Sequence, residues 1–91
     1  MTIYRIWRKI GVMKTLARDA RQIGNLIRRA RKLQAMSQRD LGDRAGLRQE
    51  TISLLENGNP SAKVGTVLSV LAALNLELQV APRSKGGYLP D

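Results

Sequence analysis

Ninety-one residues suffice for one small domain, and with only three aromatics (Tyr4, Trp7 and Tyr88) its core must be aliphatic. The absence of Cys and His excludes a disulfide framework, a Cys/His zinc site and any Ser-His or Cys-His nucleophile pair, and the seven carboxylates are not clustered, so neither catalysis nor a metal or other cofactor is expected. The net charge of +9 is uneven: residues 1–20 carry five cations against one anion, residues 21–50 eight against three, and residues 51–91 three against three. A basic N-terminal half beside a neutral C-terminal half implies one side that faces a polyanion and another that packs or associates.

Residues 1–14 read "MTIYRIWRKIGVMK", with Ile3, Trp7 and Ile10 at helical spacing among Arg5, Arg8 and Lys9. This stretch suits a short amphipathic helix or a basic arm, and Met13 is itself a plausible start of translation. No apolar run approaches a membrane span and no signal-peptide h-region is present, so a soluble, cytoplasmic and nucleoid-associated protein is expected.

Ile23, Leu26, Ile27, Ala30 and Leu33 recur at intervals of three and four, which predicts a first helix from Ala20 or Ile23 to Gln34. Arg28, Arg29, Arg31 and Lys32 fall on its other faces. The following "AMSQRDLGDRAG" begins like a helix: Ser37 is a candidate N-cap with Asp40 three residues on, and Met36 and Leu41 can form a hydrophobic staple. Gly46 supplies the left-handed stop of this short second helix. Gly42 within it is expected to weaken it locally.

A third helix is read over "LRQETISLLENG", with Ile52 and Leu55 inward and Gly58 as its stop. Arg48 stands where a capping Ser or Thr is normal, a sacrifice of about 1 kcal/mol. "NPSAK" is a loop, with the next helix starting near Ser61 or Ala62. Val64, Val67, Leu68, Leu71 and Leu74 define that fourth helix, although Gly65 costs its first turn on the order of 1 kcal/mol. Beyond Asn75 the period changes. Leu76, Leu78 and Val80 alternate with Glu77, Gln79 and Ala81, which predicts a strand over residues 76–82 that pairs with the same strand of a second copy. Residues 83–91 read as a polar, Gly-rich mobile tail.

Two short helices joined by a tight Gly-containing turn, flanked by longer ones, match a helix-turn-helix core over residues 20–75, with residues 1–19 as the basic arm or helix. Gln49, Glu50 and Ser53 then project from the start of the third helix, away from Ile52 and Leu55. Gln grips adenine bidentately, Glu accepts from cytosine N4, and Ser suits several base edges. Arg48 can reach a phosphate or a guanine edge, whereas Glu50 beside phosphates costs affinity unless it reads a base or is held by Arg48. Gln38 at the first turn of the second helix, together with Thr51, Asn59 and Lys63, supplies the candidate phosphate contacts. Leu54 can touch thymine methyls, pack toward the fourth helix or simply stand exposed without a role, and the last reading is favoured.

The segment "IGNLIRRARKLQAMSQRDLGDRAGLRQETISLLENG" resembles the phage-repressor (Cro/C1, XRE-type) helix-turn-helix family across residues 23–74. The landmarks are Ile27-Arg28, Arg31, Ser37-Gln38, Leu41, Ala45-Gly46, Ile52-Ser53 and Glu56-Asn57-Gly58. The resemblance implies a mainly α, four- to five-helix fold in which Gln49, Glu50 and Ser53 read the major groove and Gln38 and the loop after Asn57 hold phosphates. It also implies a structural Arg31–Glu56 bridge. The C-terminal part, "TISLLENGNPSAKVGTVLSVLAALNLELQV", is similar to HipB-like antitoxins, which implies a homodimer on a pseudo-palindromic operator, self-repression and a HipA-like kinase toxin as partner. A repressor without a toxin, and a protein-interaction module that neutralises a partner, remain alternatives.

Overall fold

A computed structural model describes residues 16–83. Four helices follow one another: α1 (Ala20–Leu33), α2 (Gln38–Ala45), α3 (Gln49–Glu56) and α4 (Val64–Ala73). The basic segment over residues 1–15 and the tail from residue 84 lie outside the described residues. No helix among the described residues is long and apolar enough to cross a membrane.

Helix α1 starts at Asp19, whose carboxylate accepts the Gln22 N–H at 2.8 Å, a cap that hydrophobic periodicity does not reveal. It ends one residue before Gln34, through Ala35 in the left-handed region (φ 56°), with the Met36 N–H returning to the Arg31 carbonyl at 3.1 Å. A β-carbon makes this conformation costly, about 1–2 kcal/mol, so the sequence carries no glycine marker for this stop. Ser37 and Asp40 close a full capping box on α2, the Asp40 N–H donating to Ser37 Oγ at 3.0 Å and the Ser37 N–H to Asp40 Oδ2 at 2.9 Å. Hydrogen bonding to the carboxylate, from the Ser37 N–H first and the Ser37 hydroxyl second, holds the Asp40 carboxyl below its ordinary range. Gly46 (φ 72°) ends α2 and Gly58 (φ 84°) follows α3.

The core gathers Ile27 and Ala30 of α1, Leu41 of α2, Ile52 and Leu55 of α3, and Val70, Leu71 and Leu74 at the end of α4, with Met36 closing the turn. Helix α3 packs on both α1 and α2, and α2 also packs on α4. Two glycines permit this closeness. A β-carbon on Gly24 would lie 2.5 Å from the Leu55 carbonyl oxygen and 2.6 Å from that of Glu56, so α1 and α3 approach backbone to backbone there. On Gly42 it would lie 2.7 Å from the Leu47 carbonyl oxygen. The weakness expected of Gly42 therefore comes with a purpose: it lets the α2–α3 turn fold down, with the Leu47 N–H on the Gly42 carbonyl at 2.8 Å. Gly24→Ala is expected to destabilise the domain by about 1–3 kcal/mol or more, because backbone rather than a flexible side chain must move. Urea denaturation followed by circular dichroism checks this; a midpoint raised by the better helix propensity of Ala would contradict it.

The C-terminal part differs from the reading of its pattern in three respects. Helix α4 begins at Val64 with Lys63 at its N-cap, not near Ser61 or Ala62, and no side chain caps it. Its buried stripe runs through Val70, Leu71 and Leu74, whereas Val64 and Leu68 are exposed. Because α4 is apolar nearly all round, its sequence cannot distinguish the core face from the outer one. After α4 no strand forms among the described residues: residues 76–83 have no ladder within the chain to join. Leu76 turns back onto the core, its N–H on the Leu71 carbonyl at 2.8 Å, while Leu78 and Val80 are 63% and 94% exposed.

Candidate nucleic-acid interface

A buried carboxylate organises the site. Glu56, at the last turn of α3, is 2% exposed. Its Oε2 accepts from Arg31 Nε at 2.7 Å, and its Oε1 accepts from Arg31 Nη2 at 3.1 Å, Gln38 Nε2 at 3.2 Å and Arg28 Nε at 3.3 Å. Arg31 donates its remaining terminal nitrogen to the Met36 carbonyl at 2.9 Å. Burial pushes the Glu56 carboxyl up, but the hydrogen bonds from Arg31, Gln38 and Arg28 and the charge of Arg31 outweigh it and leave the group ionised below the usual glutamate value. One side chain thus joins α1, the start of α2 and the end of α3.

That junction fixes the opposite end of α3. Arg48 occupies the N-cap position with extended backbone (φ −75°, ψ 153°) and makes no side-chain cap bond. The Gln49 and Glu50 N–H groups therefore stay free, while that of Thr51 returns to the Arg48 carbonyl at 3.1 Å, and a helix N-terminus of this kind favours anions. Arg48, Gln49 and Glu50 are exposed, and Thr51 and Ser53 are half-buried. None of the five side chains has a hydrogen-bonding or ionic partner among the described residues. Arg48 does not hold Glu50, so the Glu50 carboxylate is free to accept from a donor outside the chain. Leu54 is 58% exposed on the outer face and does not pack toward α4.

The other candidates are placed less uniformly. Gln38 opens α2, but its amide nitrogen donates to Glu56, so the residue links the helices and retains only its remaining amide hydrogen and its oxygen for an external group. Asn59 accepts the Ser61 N–H at 3.0 Å, which shapes the loop between α3 and α4. Lys63 stands exposed at the end of that loop. Arg28 also donates to Asn57 Oδ1 at 3.1 Å and ties the end of α3 to α1. No local pattern reveals this contact, because it spans 29 residues of chain.

The Helix-turn-helix family model matches residues 27–80, from mid-α1 to beyond α4. An uncharacterised HTH-type transcriptional regulator, y4dL of Sinorhizobium fredii, is 40% identical over 68 residues. That alignment takes in 75% of this chain but only 35% of the relative, so the chain spans about a third of that protein's length. Among solved structures, a HipB–O2 20mer complex superposes with a TM-score of 0.73 at 22% identity, over 78% of this chain and 99% of that one.

Proposed function

The chain belongs to the helix-turn-helix family of the Cro/C1 (XRE) type, and from that premise we propose that it is a sequence-specific, double-stranded-DNA-binding transcriptional repressor. The observation that carries this reading is the unspent first turn of α3: a cation, a carboxamide, a carboxylate and a hydroxyl, all without partners among the described residues, on a helix held at its other end by Glu56. Gln49, Glu50 and Ser53 read base edges in the major groove, and Arg48 reaches a phosphate or a guanine edge. Thr51, Asn59, Lys63 and the free hydrogen of Gln38 serve the flanking phosphates, which supply most of the affinity.

The protein acts as a homodimer on a pseudo-palindromic operator. Leu78 and Val80 are apolar, exposed and followed by Pro82, and their alternation suits an edge that pairs with its own copy. Within this frame the role is that of a HipB-like antitoxin that represses its own operon and engages a HipA-like kinase toxin. The fold shared with a HipB–O2 20mer complex supports the DNA half of that role. A kinase reading frame adjacent to the gene would support the toxin half, and its absence would favour a lone repressor.

Selection of duplexes from a random pool tests the function. The expected product is a site with two inverted half-sites, bound roughly 10³-fold or more above random DNA at physiological salt. A pool that fails to converge would overturn sequence-specific binding.

A further inference from the structure

The far end of α3 carries a second polar feature. Arg21, Asn25 and Arg28 lie along one face of α1 and, with Glu56 and Asn57, line a small open cavity of about 80 Å³. Gly58 makes that junction close, since a β-carbon there would stand 2.9 Å from the Arg21 Cα. The Arg28 guanidinium is fixed through Nε on Glu56 and Nη2 on Asn57 Oδ1, leaving Nη1 directed at neither. The Arg21 guanidinium, the Asn25 amide and the Asn57 amide nitrogen also lack partners among the described residues. The carboxylate in the lining, Glu56, is already saturated by donors from Arg31, Gln38 and Arg28. The cavity therefore offers unspent donors and two guanidinium charges, the chemistry of a phosphate site.

Its position suits a particular phosphate. Helix α3 has eight residues, about 12 Å of rise, and the major groove is about 12 Å wide. A helix with its first turn on base edges brings its last residue to the backbone at the groove's margin. We propose that this cavity binds a backbone phosphodiester at that margin, through Arg21, Asn25, the free nitrogen of Arg28 and the Asn57 amide; this rests on the DNA-binding reading above. The site adds register and salt-dependent affinity and reads no base.

Arg21 and Asn25 make no side-chain bonds that the fold needs, so Arg21→Gln and Asn25→Ala in the full chain test the site. On the selected duplex, Arg21→Gln is expected to reduce the slope of log K against log salt by about 0.9 per subunit, about 1.8 for the dimer on two half-sites, and to weaken selected and random duplexes by the same factor. Asn25→Ala should weaken both equally with little change in slope. A symmetric pair of neutral methylphosphonates, one in each half-site, scanned along the operator backbone should find one position where wild type and Arg21→Gln bind alike. Unchanged affinity and slope in both variants, with wild-type binding intact, would overturn the cavity and leave the function standing. So would inorganic phosphate shifting the Arg21 and Asn25 side-chain resonances while the duplex does not, which would mark the cavity as a free-anion site. A wild type that binds no DNA would sink both.

Discussion

Glu56→Ala is expected to remove about 3–5 kcal/mol of stability, because it leaves the buried Arg31 guanidinium without its counter-charge. A domain of this size holds roughly 5–15 kcal/mol in total, so the variant should lose a large fraction of its stability and melt well below the wild type. The loss extends beyond one ion pair: Gln38 and Arg28 lose their acceptor in the same step, and the three helices joined at Glu56 separate. Arg31→Met combined with Glu56→Leu should recover part of the loss, since no uncompensated charge remains buried. The same residue sets the acid limit. Its carboxyl titrates lower in the folded protein than the value of 4.5 expected when unfolded, so its contribution is complete above that value and is lost as pH falls through the folded value. Melting temperature should be flat at neutral pH and fall below about 4.5, with a weaker acid dependence in Glu56→Gln. Thermal unfolding by circular dichroism across pH measures both effects, and a wild-type-like melt for Glu56→Ala would refute the junction.

Removing Glu77 to Asp91 is expected to separate the fold from the assembly. Leu76, which docks on the core, remains, so thermal stability should change little. Leu78 and Val80 are lost, so sedimentation should report a monomer. Binding to a duplex with both half-sites should fall by about 100-fold or more, since the second half-site is no longer presented at high effective concentration. Unchanged sedimentation would defeat strand pairing as the basis of the dimer.

These two experiments bear on different kinds of information in the chain. Boundaries set by neighbouring residues were legible: Ser37 with Asp40, Gly46, Gly58 and the uncapped Arg48 each act within one turn. The stops at Ala35 and Asn75 were less so, because both use a left-handed residue that is not glycine. Which face of α4 is buried was hidden, because an all-apolar helix has no preferred stripe. Gly24 is not marked by any pattern in the sequence, yet α1 and α3 approach backbone to backbone there; only the packing reveals that. Gln38 was expected to face phosphate alone, and its bond to Glu56 across 18 residues gives it a structural part as well. Arg28 illustrates the same limit, since its two bonds depend on where α3 ends in space.

If the first turn of α3 reads sequence, Gln49→Ala should lower discrimination between duplexes. Gln49 is exposed and without a partner, so the substitution should leave folding intact. Equilibrium titrations of wild type and variant against the selected operator and a scrambled duplex, at one salt concentration, should show a loss of about 1–3 kcal/mol on the operator and almost none on the scrambled DNA. Equal losses on the two duplexes, or none on either, would contradict base reading at this turn.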